Sequence, residues 1–550
     1  MRRALALALA ALLALPATAL GHATLQSTVP ERGAKLDAPP AEVIFKFDEA
    51  VEASFGALRV FDPAGQEVQT GKAYHPGGRG AEIAIKLKPG LGDGTYTATF
   101  RVVSADGHPV SSGFVFTVGD AAPPSESLEE LLASSGGSGS ITNSALSVAR
   151  AVQYASIALG LGALVFVLAV WRPLGVTSRG FTRRLRTTLL VAALTGLVSA
   201  IVAIVLQGAV GSGSSFWSAA TPDTFREVLG TRFGTAWGIG ALAWVAVLIA
   251  LALSKLAALA VPLFALALLP SLGGHTSVQE PVAVLLPSNV VHVLAISAWL
   301  GGIAVLVLAL RAATSELEPD ARAPLLAGAV GRFSALATIA LPLVLLSGVA
   351  QAIVEVGSFG ALLDSAFGRA VLIKIGVALA IVALGFVNRQ RLLPALRRAT
   401  TPGRTGLLLR RTLRTEFALG LTALAVTGAL SSYAPSVAES SGPYATSVTV
   451  GPARVEVTVD PAKVGPNQLH LYLFDAKTGA PFEQTEELTV SAELPEERIP
   501  KIALSPHLAG PGHYVVDGAS LGVEGEWTIH SVLRVSDFDQ YETQFEVPIS

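Results

Sequence analysis

The chain reads as a mixed multidomain protein: an exported β-sandwich, a polytopic α-helical membrane bundle of eight spans, and a second exported β-sandwich. Three observations predict this. Residues 22–119 and 445–550 alternate apolar and polar side chains at the period of half-buried strands. Between them lie eight long apolar runs, each near the ~20 residues that cross ~30 Å of hydrocarbon. Ahead of both, Met1-Arg2-Arg3 precedes an apolar run from Ala4 to Leu20, with small residues Ala19 and Gly21 at the −3 and −1 positions. That is the pattern of a secretory signal peptide over residues 1–21.

Composition agrees. Of 550 residues, 51% are hydrophobic and only 15% charged, which places the chain in the membrane class. The net charge of −2 argues against a nucleic-acid partner. Cysteine is absent and the single methionine is Met1, so no disulfide can form and no thiol or thioether donor is available.

In the first β region, Glu42-Val43-Ile44-Phe45-Lys46-Phe47-Asp48, Leu58-Arg59-Val60-Phe61, the segment Thr95 to Val102, and Phe114 to Val118 read as strands. Asp62-Pro63-Ala64-Gly65 and the segment Pro89 to Gly94 read as turns. About seven short strands in roughly 100 residues predict a sandwich. Residues 120–142, rich in Pro, Ser and Gly, read as a flexible linker.

The membrane domain is expected over 143–435, with apolar runs at 145–171, 187–208, 235–254, 256–272, 284–310, 333–355, 370–388 and 415–433. Basic residues orient it. Arg172, Arg179, Arg183, Arg184 and Arg186 follow the first run, and Lys255 separates the third and fourth. Arg311, Arg322 and Arg332 lie between the fifth and sixth, and eight arginines from Arg389 to Arg414 join the last two. The alternate loops hold only Arg226, Arg232 and Arg369. Arginine-rich loops stay cytoplasmic, so both β domains are expected outside, in agreement with the signal peptide. In the last region, Arg454 to Val459, His470 to Phe474 and Trp527 to Val535 alternate as strands.

Cleavage after Gly21 would make His22 the first residue, with a free α-amine beside its imidazole. Amine and Nδ1 together chelate a metal, and Asp106-Gly107-His108 offers a carboxylate and a second imidazole. Such nitrogen and oxygen donors suit Cu(II). The plain reading of the same pattern is that cleavage must expose some residue. None of the nine histidines falls in an expected cytoplasmic loop.

Specific motifs sharpen this. The segment His22 to Pro30, Phe47-Asp48-Glu49, and the segment Ser104 to Gly113 resemble the CopC copper-binding family. The resemblance implies a Cu(II) histidine brace. In it His22 supplies amine and imidazole nitrogens, His108 the opposing imidazole, Asp106 an axial or outer carboxylate, and Glu49 a weak ligand. Some members of that family carry a second, Met-rich Cu(I) site, which this chain cannot build.

Thr231 to Trp237, Gly274-His275-Thr276, the segment His292 to Gly302, Lys374 and Asn388-Arg389 resemble the CopD family over about 143–435. Independently of that likeness, polar residues gather in the outer half of the runs: Gln153, Gln207, His275, His292, Gln351, Glu355 and Lys374. Such residues are costly in lipid and face the bundle interior. His292 and Trp299, seven apart, share a helix face, as do Gln351 and Glu355, four apart. Lys374 is expected at the depth of Glu355. His275, His292 and Trp299 are the candidates for a copper path; helix packing is the competing explanation.

Asp460 to Asn467, Gly512-His513-Tyr514 and Gly525-Glu526-Trp527 resemble the YtkA/FixH-like β domains. His507 and His513 are candidate ligands across a loop. His470 and His530 read as ordinary strand residues, and His75 as a loop residue.

The resulting expectation is a CopC–CopD fusion in the bacterial plasma (inner) membrane. Its partners would be the copper ion, the lipid bilayer and other extracytoplasmic copper carriers. The chain reads as a binding and transport protein, not an enzyme, and no ATP-pump motif is present. Two alternatives stand beside this: a b-type cytochrome-like unit with His275 and His292 as haem ligands, and a copper buffer or sensor that the bundle only anchors.

Overall fold

The structure is a computed structural model. It describes the chain except residues 1–22, 24, 32–33, 48, 54–56, 105–106, 108, 120–138, 275, 277–280, 400, 432–443, 461, 463, 477–480 and 550. The expected signal peptide and most of the expected linker lie outside the described residues.

Among the described residues the N-terminal β domain is a sandwich of nine strands: β1 Leu25–Val29, β2 Lys35–Leu36, β3 Glu42–Phe47, β4 Val51–Glu52, β5 Leu58–Phe61, β6 Gln69–Tyr74, β7 Glu82–Leu87, β8 Gly94–Ser104 and β9 Pro109–Val118. One sheet has the order β1-β3-β7-β6. The other has the order β2-β9-β8-β4, with β5 also paired to β8. Alternation decides which face is inward. Val43, Phe45 and Phe47 of β3 are buried. Phe45 meets Phe100 and Phe114 edge-on at 5.2 and 5.4 Å. The Asp62 turn forms as read, its carboxylate accepting from the Ala64 and Gln66 amides at 2.9 and 2.8 Å. The two strands beyond the expected seven are the shortest, β2 and β4, with two residues each.

The membrane bundle contains α1 Gly139–Phe166, α2 Arg179–Ser212, α3 Arg232–Ala252, α4 Ala260–Leu272, α5 Val282–Leu308, α6 Pro319–Val356, α7 Ala366–Val387 and α8 Gly403–Leu430. Several outrun their apolar stretches. Thus α6 spans 38 residues where the apolar run covers 333–355. Hydropathy marks the part that lies in hydrocarbon, whereas the helix continues until a cap ends it. Thr231 and Ser365 are such caps at the starts of α3 and α7, accepting from the Gly234 and Gly368 amides at 3.0 and 2.8 Å.

Among the described residues seven helices are long and apolar enough to cross a membrane; the segment Leu256–Leu272, which contains α4, is shorter. It packs along α3. A Cβ on Gly240 of α3 would stand 2.9 Å from Leu269, and one on Gly273 would stand 3.2 Å from Ala236. Arg232, at the start of α3, donates from Nε to the Leu272 carbonyl at 3.3 Å. The two helices are therefore antiparallel, and α4 returns from Lys255 to the level where α3 began. Arg150 of α1 donates to the carbonyl of Ser431, just past the end of α8.

Close packing needs small residues at the crossings. A Cβ on Gly162 of α1 would collide with Gly301 of α5, and one on Gly302 would collide with the Phe333 ring of α6. The Gly301-Gly302 pair thus lets α5 lie tightly against two neighbours.

Among the described residues the C-terminal β domain has nine antiparallel strands: β10 Tyr444–Val450, β11 Ala453–Asp460, β12 Gly465–Asp475, β13 Glu487–Leu494, β14 Ile499–Leu504, β15 His507–Gly510, β16 His513–Leu521, β17 Gly525–Arg534 and β18 Gln540–Ile549. They form sheets of order β10-β11-β12-β16-β15 and β14-β13-β17-β18. Leu469, Leu471 and Leu473 of β12 face Val490, Trp527 and Ile529 in one core. The Trp527 indole donates to the Val523 carbonyl at 2.8 Å.

Candidate functional site

In the N-terminal sandwich, strand register gathers three stretches at one end. Leu25 pairs with Phe47, so the chain entering β1 lies beside the chain leaving β3. Val51 of β4 pairs with Ser104 at the end of β8. Val103 pairs with Pro109 across the β8–β9 turn. Within that turn Gly107 has φ +91 and donates from its amide to the Ser104 carbonyl at 2.8 Å. The described residues Ala23, Phe47, Glu49, Val51, Ser104, Gly107 and Pro109 therefore lie toward one end of the sandwich. Glu49 is half-buried in the middle stretch. His22, Asp106 and His108 lie outside the described residues; His22 is next in sequence to Ala23, and Asp106 and His108 flank Gly107.

In the bundle, His292 of α5 is half-buried, with its Nδ1 3.1 Å from the Ser347 hydroxyl of α6. The ring lies against Gly348, where a Cβ would sit in ordinary contact, 3.5 Å from His292 Cε1. Gln351 donates to the Ser347 carbonyl at 3.1 Å. Lys374 of α7 interacts electrostatically with both Glu355 and His292. Thus His292, Ser347, Gln351, Glu355 and Lys374 form one polar patch across α5, α6 and α7. Trp299, two turns along α5, is buried in the bundle's main apolar cluster.

His275 is outside the described residues, but the next residue is held in place. Thr276 donates to the Ser271 carbonyl at 3.1 Å and accepts from Asn289 at 3.3 Å. Asn289 precedes His292 by three residues, about one turn of α5.

Gln153 and Gln207 belong to a different polar group, between α1, α2 and α3. Gln153 Oε1 accepts from Ser199 at 2.9 Å and from the Trp244 indole at 3.2 Å. Arg150 lies over the Phe233 ring at 5.4 Å and reaches Gln207 at 3.4 Å. Sequence reasoning did not single out Arg150, although an arginine inside the 145–171 apolar run was a readable signal. It also missed Glu416, which is buried and accepts from Asn388 at 2.5 Å. Thr412 completes that group at 2.6 Å from Asn388 Oδ1.

In the C-terminal domain the structure corrects one expectation. His470 is not an ordinary strand residue: its Nδ1 lies 3.1 Å from His513 Nε2, and both rings are buried. Burial and the neighbouring His470 and His507 push His513 down to about 3. His507 itself stands 3.7 Å from the Asp517 carboxylate, with its side chain more than half exposed. His530 is held by Glu493 at 2.9 Å, and His75 by the Glu82 carbonyl at 2.7 Å. Among the described residues no group of three or more His, Asp or Glu is arranged to hold a metal ion.

Comparison with known proteins gives three family matches. Residues 25–119 match the CopC domain, residues 141–285 the N-terminal domain of copper resistance protein D-like proteins, and residues 327–430 copper resistance protein D. The chain is 29% identical to the copper transport protein CutJ of Bacillus subtilis (strain 168) over 499 residues, covering 87% of this chain and 86% of the relative. It is 28% identical to copper resistance protein D of Pseudomonas syringae pv. tomato over 231 residues, covering 40% of this chain and 73% of that protein. The crystal structure of CopC from Methylosinus trichosporium OB3b is 30% identical, with 18% of this chain and 95% of that chain covered and a TM-score of 0.17.

Proposed function

Because this chain belongs to the CopC–CopD fusion family of copper resistance and transport proteins, we propose that it captures Cu(II) outside the cell membrane and passes copper into its bundle. It is a multi-pass membrane protein. With eight passes and arginine-rich cytoplasmic loops, both β domains stand on the outer side of the bacterial plasma membrane once residues 1–21 are removed.

The observation that carries the capture step is the convergence of the stretches around His22, Glu49 and Asp106–His108 at one end of the sandwich. His22 supplies amine and imidazole, His108 a second imidazole, Asp106 a carboxylate, and Glu49 a weaker one. Such a set matches the preference of Cu(II) for nitrogen and oxygen donors in tetragonal geometry. Copper is the cargo, delivered by other extracytoplasmic carriers.

The transfer step uses His275 and His292. The Ser347 hydroxyl at His292 Nδ1 leaves Nε2 as the nitrogen that can meet the ion. Lys374 places a positive charge near the path and Glu355 a compensating negative one. Trp299 closes the path on its apolar side.

Radiocopper accumulation in cells tests this reading. Cells carrying the protein should differ from cells lacking it, and His292→Ala should remove at least nine-tenths of that difference at matched membrane levels. Unchanged accumulation in the variant would reduce His292 to a packing residue. Equal accumulation with and without the protein would overturn transport.

A further inference from the structure

The five-stranded sheet of the C-terminal domain carries the leucines of β12 on one face and three imidazoles on the other. Tyr472 of β12 pairs with His513 of β16, and Val515 pairs with both His470 of β12 and His507 of β15. Paired residues share a face. His470, Tyr472, His513 and His507 therefore lie together, opposite Leu469, Leu471 and Leu473. Despite facing away from that core, His470 and His513 are only 1% and 2% exposed.

Their hydrogen bonds fix the tautomers. Gln468 donates from its amide nitrogen to Asp517 Oδ1 at 2.6 Å. A carboxylate only accepts, so the amide oxygen is the atom turned toward His470 Nε2, 3.1 Å away. His470 Nε2 therefore carries the proton, and its Nδ1 presents a bare lone pair to His513 Nε2 at 3.1 Å. The ring centroids are 5.4 Å apart with planes 17° from parallel. That separation exceeds the nitrogen separation by about two ring radii, so the rings meet edge to edge and the two nitrogens point at each other. Tyr472 stacks on His513 at 4.1 Å and holds its plane. With the proton on Nε2, His513 Nδ1 is bare as well, and it has no hydrogen-bond partner among the described residues.

A proton held in line between two buried imidazoles occupies the position a two-coordinate cation would take. We infer that His470 and His513 form a second copper site, in the C-terminal domain, that takes monovalent copper between His470 Nδ1 and His513 Nε2. The choice of ion rests on the copper reading above; the site rests on the geometry. Cu(II) and Zn(II) seek four or more ligands, whereas no third His, Asp or Glu joins this pair among the described residues. A closed-shell monovalent ion is satisfied by two nitrogens in line. In a chain without cysteine, whose only methionine is Met1, imidazole is the softest donor on offer.

Binding balances without any electron transfer. The proton on His513 Nε2 moves to Nδ1, Cu(I) takes its place, and both imidazoles stay neutral. The nitrogens must separate from 3.1 Å to about 4 Å, two metal–nitrogen bonds of about 2.0 Å each. The carboxylate–amide–imidazole chain from Asp517 through Gln468 orients the first ligand, as outer partners do at metal sites. The depressed basicity of His513 keeps its ring in the neutral, ligating form. Exposed His507, on the edge strand β15, is the nearest point of entry.

The test uses the full-length protein in detergent under anaerobic conditions, with Cu(I) delivered against a competing Cu(I) chelator. Wild type should hold one more equivalent than either His470→Gln or His513→Gln, while His530→Gln on the other sheet matches wild type. Equal stoichiometry in all four proteins would overturn the site. In case a variant misfolds, hydrogen exchange on wild type decides. Cu(I) should slow exchange at least tenfold in peptides covering 465–475 and 513–521, and unchanged exchange there would also overturn the proposal. Loss of cellular copper accumulation with this binding intact, or the reverse, separates failure of the transport reading from failure of the site.

Discussion

The two β-sandwiches share an architecture and offer nitrogen donors in opposite ways. In the N-terminal sandwich the candidate donors flank strands: His22 precedes β1, Glu49 lies between β3 and β4, and Asp106 and His108 lie between β8 and β9. In the C-terminal sandwich His470 and His513 are inside strands β12 and β16. A donor on a terminus or turn adapts to the ion that arrives, which suits capture of an ion with demanding geometry. A donor inside a strand is held by ladder hydrogen bonds on both sides, so its spacing selects the ion. On the two proposals above, one fold would supply both an adaptable and a preset coordination site.

The sharpest way to break this comparison is to extend the chain by one residue before His22. Amine chelation is then lost, and Cu(II) affinity of the full-length protein should fall by roughly a hundredfold or more, beyond the 10–100-fold of a lost outer partner. Cu(I) retention at the C-terminal site should not change. Competition titrations with each ion check both halves; an unchanged Cu(II) affinity would remove the brace.

A smaller effect sharpens the other side. Gln468→Leu removes the acceptor that fixes the His470 tautomer while leaving both ligands in place. Cu(I) affinity should fall about 10–100-fold, with Cu(II) capture unaffected. An affinity equal to wild type would mean that strand position alone orients His470.

The smallest effect is on pH. His513 is held down to about 3 in the folded domain, against 6.5 for the free side chain. Below pH 6.5 the unfolded chain therefore binds more protons than the folded one, and stability falls as pH falls. From pH 6.5 toward 5 the loss should approach about 1 kcal/mol per pH unit. Hydrogen exchange in strands β12 and β16 should quicken accordingly in wild type, and less so in His513→Gln. A flat profile in wild type would mean that the pair takes up a proton without cost.

Much was legible in the sequence because it is local. The apolar runs from 145 to 433 placed the bundle, and the alternation in Glu42–Phe47 and His470–Phe474 placed strands with the correct inward face. Asp62–Gly65 marked a turn. Each depends on residues near in sequence, where period and conformational preference act directly. The lengths of α6 and α8 were less legible, because hydropathy follows the hydrocarbon and helix ends follow capping. That the short segment Leu256–Leu272 packs antiparallel along α3 was decided by tertiary contacts, Gly240 beside Leu269 and Arg232 on the Leu272 carbonyl.

Only tertiary structure decided which polar groups meet. Gln153 and Gln207 look in sequence like members of one outer-half set with Gln351 and Glu355, yet the fold gives the first two to Trp244, Ser199 and Arg150 and the others to the His292 side. His470 reads as an unremarked strand position beside Leu469 and Leu471. Its partner is 43 residues away, and the register that joins them shifts between Asn467 and Leu469. A one-residue slip in a strand sends every side chain to the opposite face. Whether two distant imidazoles face each other is therefore decided by sheet pairing as a whole, which no local pattern in the sequence encodes.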